Sequence, residues 1–590
     1  MNTLASIFLQ SIFWDKKDAI YFYNGSDYLP ISSKELYEEV SLTSYGLRSL
    51  GIDWGDRVAI LAETSHHWLI MDLAILCIGA VTVPLYPTWP SHYILDLLKR
   101  SKAKGIFFSN LKQIEKVLPH KKELENLNLF VSREKEKEEV LSFEELKEKG
   151  IKYKNEVKDD FKERILLINP DQIATIIFTS GTTGTPKGVV LTHKNISSNV
   201  ENALKLFDIG PKDKALSFLP LSHILERMVT YTYLKAGASI AYARSLETLN
   251  EDFLKVKPSI FVSVPRLYEK IMNTIREKVE NSKFKEKIFL KAKKVAEEVS
   301  HFIEKNEKLP LGLNIKRKFF HFLLYKKILK NLGGNLKFCI SGGAPLDKKL
   351  LSFFLGAGIT IYEGYGLTET SPVISANFKG NVKIGSVGKI LKNLEVKIAE
   401  DGEILVKGPS IFKGYLDDPI STAEVFSKDG FFKTGDIGFI DEEGYLYITD
   451  RKKDLIITAG GKNIAPQPIE NKIKNLKGVS FAILIGDKKP YPIVLIVPDF
   501  YFLKEWAKKE GIVELGEEEL CTNEKVKNYY MDLVKSAAEE LASYEKPKKV
   551  GLIPIELSIE KGFLTPTLKV KRKIIEESFS ALINSLYEED

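Results

Sequence analysis

Residues 179–188 read Thr-Ser-Gly-Thr-Thr-Gly-Thr-Pro-Lys-Gly, and their types suit the binding of an anion. Glycines such as Gly181 and Gly184 let a backbone approach an anion closely, and successive N–H groups can converge on one concavity. The hydroxyls of Thr179, Ser180, Thr182 and Thr183 add donors, and Lys187 adds a mobile positive charge. Together they meet the needs of a triphosphate. The loop is not a Walker A motif, because Lys187 stands between Pro186 and Gly188 and no Gly-x₄-Gly-Lys-Ser/Thr is present.

Further along lie groups that could hold the rest of a nucleotide. In Tyr362-Glu363-Gly364-Tyr365-Gly366-Leu367-Thr368-Glu369-Thr370, the Tyr365 ring can stack on adenine and the Glu369 carboxylate offers Mg²⁺ a hard oxygen. In Thr434-Gly435-Asp436 a carboxylate after glycine can accept from both ribose hydroxyls, and Arg451 would reach the same ribose or the phosphates. Gly342 and Gly343, followed by Ala344, would let a flat ligand or an acyl chain pass against bare backbone. Three Lys stand close together near the end, at 569, 571 and 573. His223, within Leu219–Arg227, reads on its own as a packed or solvated histidine.

These groups need elements to position them. Between Val58 and Val264 strand-like runs (58–61, 81–84, 105–108, 173–178, 215–219, 239–241, 260–264) alternate with helical ones, which predicts parallel βαβ units. The triphosphate loop should follow the strand 173–178 and lead to a helix capped by Asn195, and a strand 336–340 should deliver Gly342. A lysine-rich helical segment occupies about 270–330 and reads as a solvated hairpin with Phe and Leu on its core face, although 316–330 is one-sidedly basic. Short strands and glycine turns over about 385–450 predict a β subdomain, with Thr434–Asp436 between two strands. The charged cluster Asp450–Asp454 closes that region, and an α+β domain should follow. The expected fold is therefore α/β: a large N-terminal domain, 1–450, with parallel sheets and a β subdomain, and a smaller mobile α+β domain, 451–590.

Composition bounds the function. At 590 residues, 44% hydrophobic and 28% charged, the chain is too long for one core and reads as globular. A net charge of +7, from 86 basic against 79 acidic residues, suits polyanionic substrates and is too small to imply nucleic acid. Cys77, Cys339 and Cys521 lie far apart without metal spacing, so reduced thiols in the cytoplasm are expected. Residues 1–14 lack a basic n-region and a cleavage site, and Leu4, Ile7, Phe8 and Ile12 predict an amphipathic helix packed on the domain or touching a membrane surface. The run Trp68–Pro84 is broken by Asp72 and reads as a buried helix entering a strand.

In their order, these motifs resemble the acyl-adenylate-forming enzymes, and among them the AMP-forming long-chain fatty-acid–CoA ligases. The resemblance runs from Trp68 to Lys569. It implies ATP, Mg²⁺ and CoA as cofactors and cosubstrates, a fatty acid as substrate, residues 179–188 around the departing pyrophosphate, and Mg²⁺ held by Thr179 and Glu369. It places His223 near the acyl carboxylate, Lys453 at the interdomain hinge, and Gly460 and Gly461 in the loop lining the thiol channel. Val264–Tyr268 matches the same subfamily, with Arg266 expected to anchor a turn. The segment Thr565-Pro566-Thr567-Leu568-Lys569 resembles the motif of the catalytic lysine, with Leu568 in place of the usual glycine, and the spacing selects Lys569. Lys187 is left as a supporting phosphate contact. A homodimer and a peripheral membrane contact both stay open, as do a carrier-protein acceptor and a medium-chain or aryl acid.

The chemistry this implies is electrostatic. A carboxylate is ionised at neutral pH and needs no base to act as nucleophile. Its obstacle is the charge of the triphosphate, so fixed cations and N–H dipoles must surround the α-phosphorus. Lys569 would bridge carboxylate and α-phosphate, then leave with the C-terminal domain so that a thiol can attack the mixed anhydride.

Overall fold

The computed structural model describes residues 3–157, 159–179, 186–280, 282–512, 515–559, 561–565 and 570–588. Among them, the alternating strands divide between two sheets. One orders nine strands as Lys389–Ile390, Val373–Ala376, Ile361–Gly366, Phe338–Ser341, Ile260–Ser263, Lys214–Ser217, Ser239–Tyr242, Ile20–Tyr23 and Tyr28–Ile31. It is parallel from Ile361–Gly366 to Ile20–Tyr23 and antiparallel at both edges. The other orders eight: Gly414–Tyr415, Lys187–Thr192, Ile173–Thr179, Val81–Leu85, Arg57–Leu61, Gly105–Phe108, Leu129–Ser132 and Leu141–Ser142.

Two helices fill the space between the sheets. His66–Cys77 is apolar on nearly every face and buried from Trp68 to Cys77, as a helix covered on all sides must be. Ile224–Ala236 is buried almost as fully. Their side chains share one core with residues of both sheets, including Ile60, Ile177, Ile240 and Ile260. Polar groups this deep must find partners. Asp72 does so by pairing with Arg227 of the second helix and accepting from Thr82 Oγ1 at 2.7 Å, while Arg227 Nη1 donates to Thr175 Oγ1 at 2.7 Å and Tyr231 donates to Asp72. One network thus ties both helices to the second sheet.

The N-terminal helix Leu4–Ser11 turns its apolar face inward, burying Leu4, Ile7 and Phe8. Leu4 N donates to His193 Nδ1 at 3.2 Å, which binds the helix to the domain and leaves that face unavailable to lipid. The lysine-rich region forms the helices Pro265–Glu280, Lys283–Glu304 and Leu311–Phe320, a π-turn His321–Tyr325 and a helix Lys326–Asn331. Some of its large apolar side chains face solvent, contrary to the expected core face: Phe319 and Phe322 are exposed, whereas Phe289 and Phe320 are buried.

Three local expectations are corrected. The residues after 185 do not lead straight into a helix: Lys187–Thr192 is a strand pairing antiparallel with Ile173–Thr179, Thr179 opposite Lys187. Thr192, not Asn195, caps the helix His193–Leu206, and Asn195 supplies the third-position half of the capping box. Thr434–Asp436 lies inside the strand Phe432–Ile440 rather than between strands. That strand belongs to a four-stranded sheet with Glu395–Ile398, Glu403–Lys407 and Leu446–Arg451. Beyond Arg451 a separate core forms around the strands Val479–Ile485, Ile493–Pro498 and Val550–Leu552 and their covering helices.

Candidate functional site

The parallel strands of the nine-stranded sheet run toward one crevice, the usual ligand position in such sheets. Phe338–Ser341 ends there in Gly342, Gly343 and Ala344, all of which line a cleft of about 4640 Å³. Gly342 N donates to Ser263 O of the neighbouring strand at 3.1 Å, and a Cβ on Gly342 would stand 3.1 Å from Leu225 Cδ2.

The next strand, Ile361–Gly366, is parallel to Phe338–Ser341 up to Glu363 and then pairs antiparallel with Val373–Ala376, its register shifting between Tyr365 and Gly366. Such a bulge re-aims side chains. A Cβ on Gly366 would lie 1.7 Å from Pro372 O, so only glycine fits there. Tyr365 is brought to the cleft, where its Oη donates to Asp436 Oδ2 at 2.6 Å. Arg451 Nε lies 3.2 Å from Asp436 Oδ1. Gly435 supports this with φ +72°, its N–H donating to Glu403 Oε1 at 3.0 Å, while Asp436 N donates to Thr434 Oγ1 at 3.1 Å. The structure therefore joins Tyr365, Asp436 and Arg451, 86 residues apart at the extremes, in one connected group. A carboxylate has about four lone-pair positions, so Asp436 keeps acceptor capacity for ribose hydroxyls beside these two donors.

Thr368 and Glu369 follow on a short 3₁₀ turn, Thr368–Thr370, and both line the cleft. Burial pushes the Glu369 carboxyl above its ordinary range, partly offset by a backbone N–H and by Tyr415, whose hydroxyl donates to Oε1 at 3.0 Å. Tyr415 also sits beneath Lys187 Nζ, 5.0 Å from its ring centroid. A buried carboxylate with a neutral phenol for partner gains from a divalent cation, so Glu369 fits Mg²⁺ chemically. Among the described residues no group of three or more His, Cys, Asp or Glu is placed to hold a metal ion, so the other ligands would have to be phosphate, hydroxyl and water oxygens. Thr179 is at the cleft wall, its Oγ1 donating to Lys187 O at 3.5 Å. Ser180, Gly181, Thr182, Thr183 and Gly184 lie outside the described residues. Where the loop returns, Arg100 Nη1 holds Pro186 O at 2.8 Å.

His223 caps the helix Ile224–Ala236, its Nδ1 accepting from Leu225 N at 3.2 Å, which puts the proton of the neutral ring on Nε2. It lines the cleft beside Leu225, Met228 and Val229, an apolar wall suited to an acyl chain. Lys453 lines the cleft just after the strand Leu446–Arg451. Gly460 and Gly461 do not join the nucleotide group: they form an exposed turn whose neighbours lie in the C-terminal region, Ala459 N donating to Lys489 O at 2.9 Å and Lys462 Nζ lying over the Tyr544 ring at 5.8 Å. Arg266 does not merely anchor a turn, since its guanidinium lies 5.5 Å over the ring of Phe481. Lys569 lies outside the described residues.

Two cleft residues escaped the sequence reading. Tyr415 reaches Glu369 because Gly414–Tyr415 pairs with Lys187–Thr192, a contact with no local signal. Glu363 lines the cleft, burial raising its carboxyl to about 8; Leu346 N donates to Oε1 at 3.3 Å, while Oε2 has no partner. Its signal was a charged residue inside an otherwise apolar strand.

An α/β fold with groups chemically suited to adenine, ribose and a metal ion around one crevice is the arrangement a nucleotide-dependent enzyme requires. The chain belongs to the AMP-binding enzyme family: residues 14–416 match the AMP-binding enzyme and residues 453–590 the AMP-binding enzyme C-terminal domain. It is 34% identical over 570 residues to the long-chain-fatty-acid–CoA ligase FadD15 of Mycobacterium tuberculosis, covering 95% of this chain and 92% of that one. It is 34% identical to long-chain-fatty-acid–CoA ligase 5 of Rattus norvegicus, covering 90% and 80%. The fold is similar to that of ATP-bound MatB from Rhodopseudomonas palustris, with TM-score 0.69, 22% identity, and coverage of 98% and 99%.

Proposed function

We propose that this protein activates a long-chain fatty acid with ATP and transfers the acyl group to CoA. The connection of Tyr365, Asp436 and Arg451 at the cleft, with Glu369 beside them, carries the reading, and the long-chain ligases among its relatives supply the substrate class. In the first step a carboxylate oxygen of the acid bonds to the α-phosphorus as the bond to pyrophosphate breaks, giving acyl-AMP. In the second, the CoA sulfur bonds to the acyl carbon, AMP leaves with the anhydride oxygen, and the thiol proton is released. Bound Mg²⁺ would neutralise phosphate charge, with Glu369 and Thr179 as its protein ligands. Tyr365 and Asp436 orient the nucleoside, His223 meets the acid at the mouth of the apolar wall, and Lys569 offsets charge between carboxylate and α-phosphate. The buried, unpaired Cys77, Cys339 and Cys521 are compatible with a reducing cytoplasm.

Pyrophosphate–ATP exchange with and without fatty acid tests the first step, and CoA-thioester formation across acids of graded length tests the second. Lys569→Ala should lose acid-dependent pyrophosphate release by roughly 10²–10³-fold and retain thioester formation from supplied acyl-AMP. Equal loss of both half-reactions would remove Lys569 from this role. Loading of a carrier protein in place of CoA would replace the acceptor.

A further inference from the structure

Glu403 opens the strand Glu403–Lys407 of the four-stranded sheet and is 6% exposed. A carboxylate so placed needs partners for both oxygens, and this one has them. Oε1 accepts from Gly435 N at 3.0 Å, and Oε2 pairs with Lys452 Nζ at 2.8 Å. The two partners also meet each other, since Lys452 N donates to Gly435 O at 2.8 Å. Asp401, just before the strand, accepts from Lys452 Nζ at 2.6 Å and from Glu403 N at 3.1 Å. Gly435, Lys452 and residues 401–403 thus form one closed clamp.

Two functional candidates border the clamp. On one side Asp436 follows Gly435, whose φ of +72° sets the direction in which the chain reaches that carboxylate. The same strand backs this turn again, because Thr434 Oγ1 donates to Ile404 O at 2.8 Å. On the other side Lys453 follows Lys452, and among the described residues no hydrogen bond or ion pair involves the Lys453 side chain. The chain is therefore held to the sheet up to Lys452 and released after it. A pair with a partly exposed lysine adds little to stability, so its value here is geometric: it fixes where the chain leaves the sheet. We infer that Glu403 is a positioning residue with two tasks: through Gly435 it aims Asp436 at the ribose, and through Lys452 it fixes the stationary end of the interdomain hinge. It acts through these neighbours and not on the reacting atoms. The clamp stands on the fold alone; its two tasks rest on the ligase reading.

Three variants separate the tasks. Glu403→Ala removes both bonds and should raise the ATP KM of acid-dependent pyrophosphate exchange about tenfold or more. Glu403→Leu, which fills the same space without an acceptor, takes its place if the alanine variant does not fold. Glu403→Gln keeps a carbonyl acceptor for Gly435 N and loses the ion pair, so its ATP KM should stay within about twofold of wild type. Thioester formation from supplied acyl-AMP should slow about three- to fivefold in the same variant. Lys452→Met removes that pair from the other side and should slow the step equally, and the double variant Glu403→Gln/Lys452→Met should be no slower than either single one. A glutamate that only stabilised the sheet would lower the melting temperature without this split between KM and the second step. An unchanged ATP KM in the variant lacking an acceptor would overturn the aiming of Asp436. Additive losses in the double variant would overturn the link to the hinge. Trypsin cleavage at Arg451–Lys453 reads the clamp without turnover, and Glu403→Gln should be cut there about three- to fivefold faster than wild type. Equal cleavage rates would overturn the clamp itself. Faster cleavage of the variant, with no acid-dependent exchange in wild type, would leave the clamp standing and remove the ligase reading.

Discussion

Asp436 is the residue on which the proposed nucleoside site turns. It is 4% exposed, receives Tyr365 Oη on one oxygen and faces Arg451 Nε with the other, so its removal strands a buried hydroxyl and a guanidinium. Asp436→Ala should therefore weaken ATP and AMP binding by about 2–3 kcal/mol, roughly 30- to 150-fold in Kd by calorimetry. Tyr365→Phe keeps the ring and loses one hydrogen bond, and should cost less. An unchanged Kd for Asp436→Ala would take the carboxylate out of the ribose site. The residue types and order made Tyr365, Glu369 and Asp436 legible in the sequence as residues of one cleft, because each side chain suits a distinct proposed role toward adenine, metal or ribose. Tyr415 was not legible: a tyrosine has no fixed role until a partner stands beside it.

At the scale of elements, the helix Ile224–Ala236 is the most loaded piece of the fold. Within two turns it carries His223 at its cap, Arg227 in the buried network with Asp72, and Glu226, which is 2% exposed. Burial pushes the Glu226 carboxyl up to about 8. An unfolded glutamate titrates near about 4.3. Between those values the folded chain holds a proton that the unfolded chain has lost, so this contribution to stability is complete below the unfolded value and disappears as pH rises through about 8. Glu226→Gln removes that titration. Urea melts at pH 5 and pH 8 should show wild type losing about 1–3 kcal/mol more than the variant over the interval. Parallel losses in the two proteins would show that Glu226 is not held neutral. Alternation with the strand-like runs 215–219 and 239–241 implied a helix here, whereas its neutral acid follows from the two sheets that enclose it.

For the whole molecule, polar contacts join the two domains of the family match among the described residues. Lys474 Nζ lies 3.0 Å from Glu269 Oε2, and Arg266 stacks over Phe481. Partly exposed pairs of this kind contribute at most about 1 kcal/mol each, so these two would oppose rotation of one domain against the other only weakly. Lys453, next to the end of the strand Leu446–Arg451, is the residue proposed to absorb that rotation. Lys453→Pro fixes φ there and should slow thioester formation from supplied acyl-AMP by tenfold or more, roughly, while sparing acid-dependent pyrophosphate exchange. Stopped-flow measurement of the two half-reactions decides it, and an unimpaired second step would move the hinge elsewhere.

The sequence by itself determined the alternating α/β plan and the helical character of about 270–330, and its motifs carry the proposed adenine, ribose and metal roles. These depend on local periodicity and on residue type, which act over a few residues. Tertiary structure alone decided which strands share each of the two large sheets, that Thr434–Asp436 sits within a strand, and that Tyr415 supports Glu369. Each depends on pairing between segments distant in the chain, for which local propensity carries no register. It also decided which apolar residues of the lysine-rich helices are covered. Phe319 and Phe320 are neighbours of one type, yet the first is exposed and the second buried, because burial is set by which face the core occupies.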